Sequence, residues 1–217
     1  MNRHLRIGLW VALAVQTGWV MLNATILHRS PGLDALGVVI VVIFAAFAGL
    51  QQHRRWRWLA ALVRFVMAAD FLLAVGDRFG LLGAPGAAGV SWGDFAHFVD
   101  YTRAVATFLP AGLAPALAVL ATVAEIVIGT ALLLGFRLQL AALAAAVLLA
   151  MYAMSMMVSL PAAQQFHYNV IVLAAGMLAL STVTRAPFTV DSALARTSRR
   201  SVGQVGEDAG RRRGVDA

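Results

Sequence analysis

The chain has 217 residues, of which 61% are hydrophobic and 12% charged, with a mean hydropathy of +0.80 and a formal net charge of +7. A soluble domain carries about 25% charged residues, so a water-covered globule is excluded and a lipid bilayer is the expected partner. There is no cysteine, which excludes disulfides, thiolate metal sites, cysteine-held iron–sulfur clusters and CxxC redox chemistry in this subunit.

The pattern in chain order is that of an all-α, polytopic membrane helix bundle with six transmembrane helices. A basic opening, Met1 to Arg6, precedes an apolar run from about Ile7 to Ile26. That run exceeds the roughly 7–15 apolar residues of a signal peptide and lacks its cleavage site, so a retained first helix is expected. A turn at His28–Gly32 leads to a second span, Ala35 to Leu50, and then to the basic, tryptophan-bearing loop 51–58. The third span, Leu59 to Val75, carries Arg64 and Asp70 inside, with Asp77-Arg78 at its far end.

Residues 80–110 form the one long connection. Its glycines and Pro85 are turn chemistry, and Ser91-x-x-Asp94 fits a capping box. An external amphipathic helix over about 91–109 follows, lying at the membrane surface or capping the bundle. The fourth span, about Leu113 to Phe136, holds Glu125 near its middle. The fifth runs from Leu140 to Leu160 and is rich in alanine and methionine. A sixth starts at His167-Tyr168-Asn169 and reaches about Thr184, and a disordered basic tail occupies 196–217.

Alternating the loops puts thirteen arginines (3, 6, 54, 55, 57, 137 and seven in the tail) on one side and Arg29, Arg78 and Arg103 on the other. Positive loops stay cytoplasmic, so both ends are expected inside a bacterial inner membrane. The arginines thus serve topology, and nucleic acid is not expected as a partner despite the basic charge.

Charges inside spans are the functional lead, since each costs about 2.5–3.5 kcal/mol at a helix centre on insertion scales. At 1.5 Å per residue, Arg64 lies roughly 9 Å, Asp70 roughly 18 Å and Glu125 roughly 16 Å from the inner side. The expectation is an Arg64–Glu125 pair between the third and fourth spans, within a polar core of Arg64, Asp70, Asp77, Arg78 and Glu125. His167 and Tyr168 are candidates for a quinone headgroup or a proton relay, against a reading as an interfacial anchor. No metal site is expected. The fifth span's methionines read as filler, and His97 between Asp94 and Asp100 reads as a solvated face. No Walker loop, GxGxxG, nucleophile elbow or HExxH occurs.

From Arg64 to Leu194 the chain resembles the DoxX-like family of small membrane proteins. The residues that carry this are Arg64, Gly76-Asp77-Arg78-Phe79-Gly80, Trp92-Gly93-Asp94-Phe95 with Tyr101, and Ala124-Glu125-Ile126-x-x-Gly129 leading to Leu132–Arg137. His167-Tyr168-Asn169 and Phe188-Thr189-Val190-Asp191 complete it. The resemblance implies a four-helix membrane domain over 57–195, with two further helices in 1–56. Gln139 replaces an expected second basic residue, and Asp70 lies outside the pattern. The family takes its name from a membrane subunit of a thiosulfate:quinone oxidoreductase. That implies a membrane subunit of a redox or quinone-linked complex, with no covalently bound cofactor, quinone as the candidate ligand and other subunits as partners. At most it is a non-cofactor-bearing part of an enzyme. The alternative is a non-enzymatic scaffold or small transporter whose buried charges are structural.

Overall fold

The computed structural model describes residues 3–26, 35–50, 56–161, 166, 168–184 and 186–191, and every regular element among them is helical. Loops 28–32 and 51–55, His167 and the tail 196–217 lie outside the described residues. The helices are α1 (Arg3–Met21, continued by a π-helical turn over Leu22–Ile26), α2 (Ala35–Gly49), α3 (Trp56–Arg78) and α4 (Phe95–Val105). After a 3-10 turn over Ala111–Leu113 come α5 (Ala114–Leu134), α6 (Leu138–Ser159) and α7 (Val170–Leu180).

Four stretches are long and apolar enough to cross a membrane: Arg3–Ile26, Trp56–Arg78, Ala111–Leu134 and Leu138–Ser159. The other two expected spans are apolar helices of only 15 and 11 residues, α2 and α7. A full crossing takes about 20 residues, so α7 by itself covers about half of one. Its limits have local causes. Asn169 precedes it in the left-handed region at φ 53°. At the other end the hydroxyls of Ser181 and Thr182 donate to the carbonyls of Leu178 and Ala179. Such side chains compete with the backbone ladder, and the helix stops at Leu180 rather than Thr184.

The N-terminal pair belongs to the same core as the rest. Leu9, Leu13, Phe44 and Phe47 are buried together with Met67, Leu132, Leu173 and Met177. The Phe44 ring fills the space beside Gly176 that any side chain there would need. Gln16 of α1 donates to the Phe166 carbonyl at 2.8 Å, and Trp19 stacks on the Phe166 ring at 4.5 Å. α3 and α5 pack closely where Gly129 lies against Phe71 and Leu72. A stripe of small residues does the same for α6, where Ala141, Ala142, Ala145 and Ala146 are buried.

The connection between α3 and α5 differs from expectation. Its helix is shorter than 91–109, and the cap is Asp94 itself, whose Oδ1 accepts the His97 N–H at 2.8 Å. Ser91 is not the cap; its N–H donates instead to Asp77. α4 packs along α5 and α6, with Phe98 beside Arg78 at one end and Thr107 hydrogen-bonded to Ser159 at 2.7 Å just past the other.

Candidate functional site

Two buried arginines sit on α3, fourteen positions and so about 21 Å apart. Arg78 is the one that meets Glu125. Its Nη2 lies 2.6 Å from Glu125 Oε2, and its Nη1 donates to Thr122 Oγ1 at 3.0 Å. The second carboxylate oxygen of Glu125 accepts the Tyr152 hydroxyl of α6, also at 2.6 Å. Both ions are almost wholly buried. At such a place a charge persists only when paired and hydrogen-bonded, and here each oxygen of the carboxylate has its own donor. The Arg78 guanidinium also lies 3.7 Å from the centre of the Phe98 ring and 5.2 Å from that of Trp92. Cation–π attraction of this kind grows when the pair is desolvated.

Asp77, the adjacent residue, ties down the wall of the site. Its carboxylate accepts the backbone N–H groups of Ser91, Trp92 and Gly93 at 2.9, 3.1 and 3.2 Å. Gly93 has φ 73°, and its α-carbon packs against the backbone of Ala84 and Pro85 with no room for a side chain. Only glycine meets both conditions. Trp92 is thereby held over Arg78, with Tyr101 behind it at 5.8 Å and Tyr168 at 6.4 Å from Tyr101, ring centre to ring centre. The Tyr101 hydroxyl and Arg78 Nε are buried donors without a hydrogen-bond partner among the described residues.

The expected Arg64–Glu125 pair does not form. Arg64 is fully buried, donates through Nη2 to the Phe188 carbonyl at 3.0 Å, and packs over the Phe65 ring at 4.2 Å. Its Nη1 presses against Gly135, the left-handed C-cap of α5 at φ 64°. The C-terminal end of a helix is partially negative and favours a cation, so Arg64 sits there without a carboxylate, and its Nε and Nη1 have no hydrogen-bond partner among the described residues. By depth alone Arg64 and Glu125 lie several ångströms apart, a gap that arginine's length can close. The register of α3 on α5 instead brings Arg64 level with the end of α5 and Arg78 level with Thr122 and Glu125. Arg78 is therefore a bundle residue and not an outer-loop charge.

The segment after α7 completes this second cluster. Thr189 packs on Gly135, and the Asp191 carboxylate accepts the N–H groups of Arg137 and Leu138 at 2.9 and 3.0 Å, capping α6 from outside. Asp70 is half-buried on α3, as is Tyr168 ahead of α7. Sequence reasoning missed Thr122 and Tyr152. Gly129 was the available signal, because one heptad from its contact with Phe71 the two helices place Thr122 beside Arg78. No group of three or more His, Cys, Asp or Glu able to hold a metal occurs among the described residues.

Fold and site together define a helical protein with four membrane-length helices and a buried Arg–Glu–Tyr centre. No protein-family model, curated protein or solved structure matches the chain.

Proposed function

We propose that this is a DoxX-like, multi-pass protein of the bacterial inner membrane that serves as a subunit of a quinone-linked redox complex. A quinone headgroup would sit beside Arg78, Glu125, Tyr101 and Tyr168. In this reading α2 and α7 join the four longer helices as fifth and sixth spans, with both termini cytoplasmic. The thirteen-to-three arginine split supports that orientation. Taking Arg78 out of the outer loops only widens it. Reporter fusions after Arg57 and at the C-terminus should read cytoplasmic, and one at Gly89 external.

One observation carries the ligand assignment. A buried carboxylate, a guanidinium and a phenol converge next to an aromatic wall, and two of the surrounding donors, Tyr101 Oη and Arg78 Nε, lack partners among the described residues. Buried donors are normally satisfied, and quinone carbonyls are acceptors of the kind they lack. Electrons would be carried by a partner subunit. The test is to purify the protein in mild detergent, extract it with organic solvent and quantify quinone. Near-stoichiometric quinone that falls in Tyr101→Phe is expected. Absence of quinone, together with no quenching of tryptophan fluorescence by an added short-chain benzoquinone, refutes the assignment.

The closed pairing of Arg78 with Glu125 favours a second reading, a scaffold or small transporter whose charges pin α3 to α5. Arg78→Leu/Glu125→Leu separates the two. A scaffold keeps its complex in that variant, whereas a ligand site folds and loses its ligand.

A further inference from the structure

The polar face of α4 stands at a depth where lipid would not tolerate it. Phe98 touches the Arg78 guanidinium, which itself bonds Thr122 and Glu125. Thr107 bonds Ser159, the last residue of α6, and Pro110 leads directly into α5. α4 therefore runs beside the last third of α6 and the first third of α5. Thr122 is eight residues into α5, about 12 Å from its start. At these same depths α5 and α6 present apolar side chains outward, among them Leu120 (65% exposed) and Met154 (61% exposed). α4 presents Asp94, His97, Asp100 and Arg103, with the side chains of His97 and Asp100 59% and 69% exposed. A charged side chain facing hydrocarbon is costly, and the two i,i+3 pairs, Asp94–His97 and Asp100–Arg103, leave most of their surface open.

The backbone makes the same demand. Residues 79–93 are non-helical, and both ends of the stretch are held at the level of Arg78: Phe79, Gly80 and Leu81 bond the last carbonyls of α3, and Ser91, Trp92 and Gly93 bond the Asp77 carboxylate. Irregular backbone at membrane depth persists only inside protein or against water. Where α4 gives way to α5, a half-open groove of about 230 Å³ has Arg103 and Thr107 on a largely apolar lining that includes Leu109, Pro110, Ala114 and Leu117. At about 30 Å³ of liquid per molecule, it has room for several waters.

We propose that α4 and loop 79–93 border a water-filled recess in the membrane-facing surface of the bundle. The recess reaches from the end of α5 and α6 down to the depth of Arg78 and Glu125. It admits water, and the small polar solutes water carries, from the side of the membrane on which α6 ends. The proposal rests on α5 and α6 crossing the bilayer and is independent of the quinone assignment. A protein that binds no quinone would still have the recess.

The cysteine-free chain makes the test direct. Single variants His97→Cys, Asp100→Cys, Leu120→Cys and Met154→Cys, reconstituted in liposomes, are labelled with a charged maleimide and, separately, with a lipophilic one. The α4 positions are expected to react with the charged reagent at least tenfold faster than the α5 and α6 positions, which react with the lipophilic reagent only. Slow charged labelling at both α4 positions means that face is covered, and overturns the recess. Equal labelling at all four places the outer third of α5 and α6 in water, and overturns it too. The two α4 sites are exposed and independent, so loss of either variant leaves the other to decide.

Discussion

Arg64 and Arg78 are the same residue type on one helix, both buried, and they are accommodated in opposite ways. Arg78 has a carboxylate, a hydroxyl and two aromatic faces. Arg64 has a carbonyl, one ring and the negative end of α5. The first arrangement is built from side chains of other helices. The second is built from backbone and from a glycine that leaves no slack.

The largest effect should come from Glu125→Ala, which leaves Arg78 as an uncompensated buried cation at about 3–5 kcal/mol. Yield of folded protein in the membrane, followed by thermal unfolding in detergent, reads it. Gly135→Ala should come next. It forces a β-carbon into a left-handed position and against the Arg64 guanidinium, at about 3 kcal/mol by combined strain and displacement. Near-normal stability in that variant would remove Arg64 from its assigned seat. Tyr152→Phe deletes one bond to a charged acceptor and should cost about 1.5–3 kcal/mol, while sparing the Arg64 end. Asp191→Ala should lose about 1 kcal/mol with the α6 cap.

The smallest effect is on pH. Hydrogen bonds from the His97 N–H and ring hold the Asp94 carboxyl below its ordinary 3.8. A depressed carboxylate stabilises the fold above that value and ceases to as pH falls through its folded pKa. α4 should therefore fray only in strong acid, visible as faster amide exchange over Phe95–Phe98. Fraying of α4 near pH 6 would contradict the cap.

Much of the fold was readable because hydrocarbon imposes a length and an apolar run on each helix. Four membrane-length helices, the amphipathic character of 95–105 and the buried Glu125 came through. The partner of Glu125 did not. Depth along one helix leaves the offset between two helices free, and a fourteen-residue slide of α3 exchanges one arginine for the other. Gly129 encoded that offset through its close contact with Phe71 and Leu72, yet a glycine names no partner until the facing helix is known. Tyr152 was invisible for a related reason, since nothing in an alanine- and methionine-rich run says which face meets Glu125. The short reach of α7 was hidden because Ser181 and Thr182 end the helix through their own hydroxyls, within an otherwise apolar pattern.

A pair of double-mutant cycles tests the central assignment most directly. Unfolding free energies in detergent are measured for Arg78→Ala, Arg64→Ala and Glu125→Ala, and for the two doubles that contain Glu125→Ala. Residues in contact couple by about 0.5–3 kcal/mol, and distant ones add to within about 0.5 kcal/mol. Arg78 and Glu125 are predicted to couple near the top of that range and Arg64 and Glu125 to be additive. Strong coupling of Arg64 to Glu125, with Arg78 additive, would contradict the account.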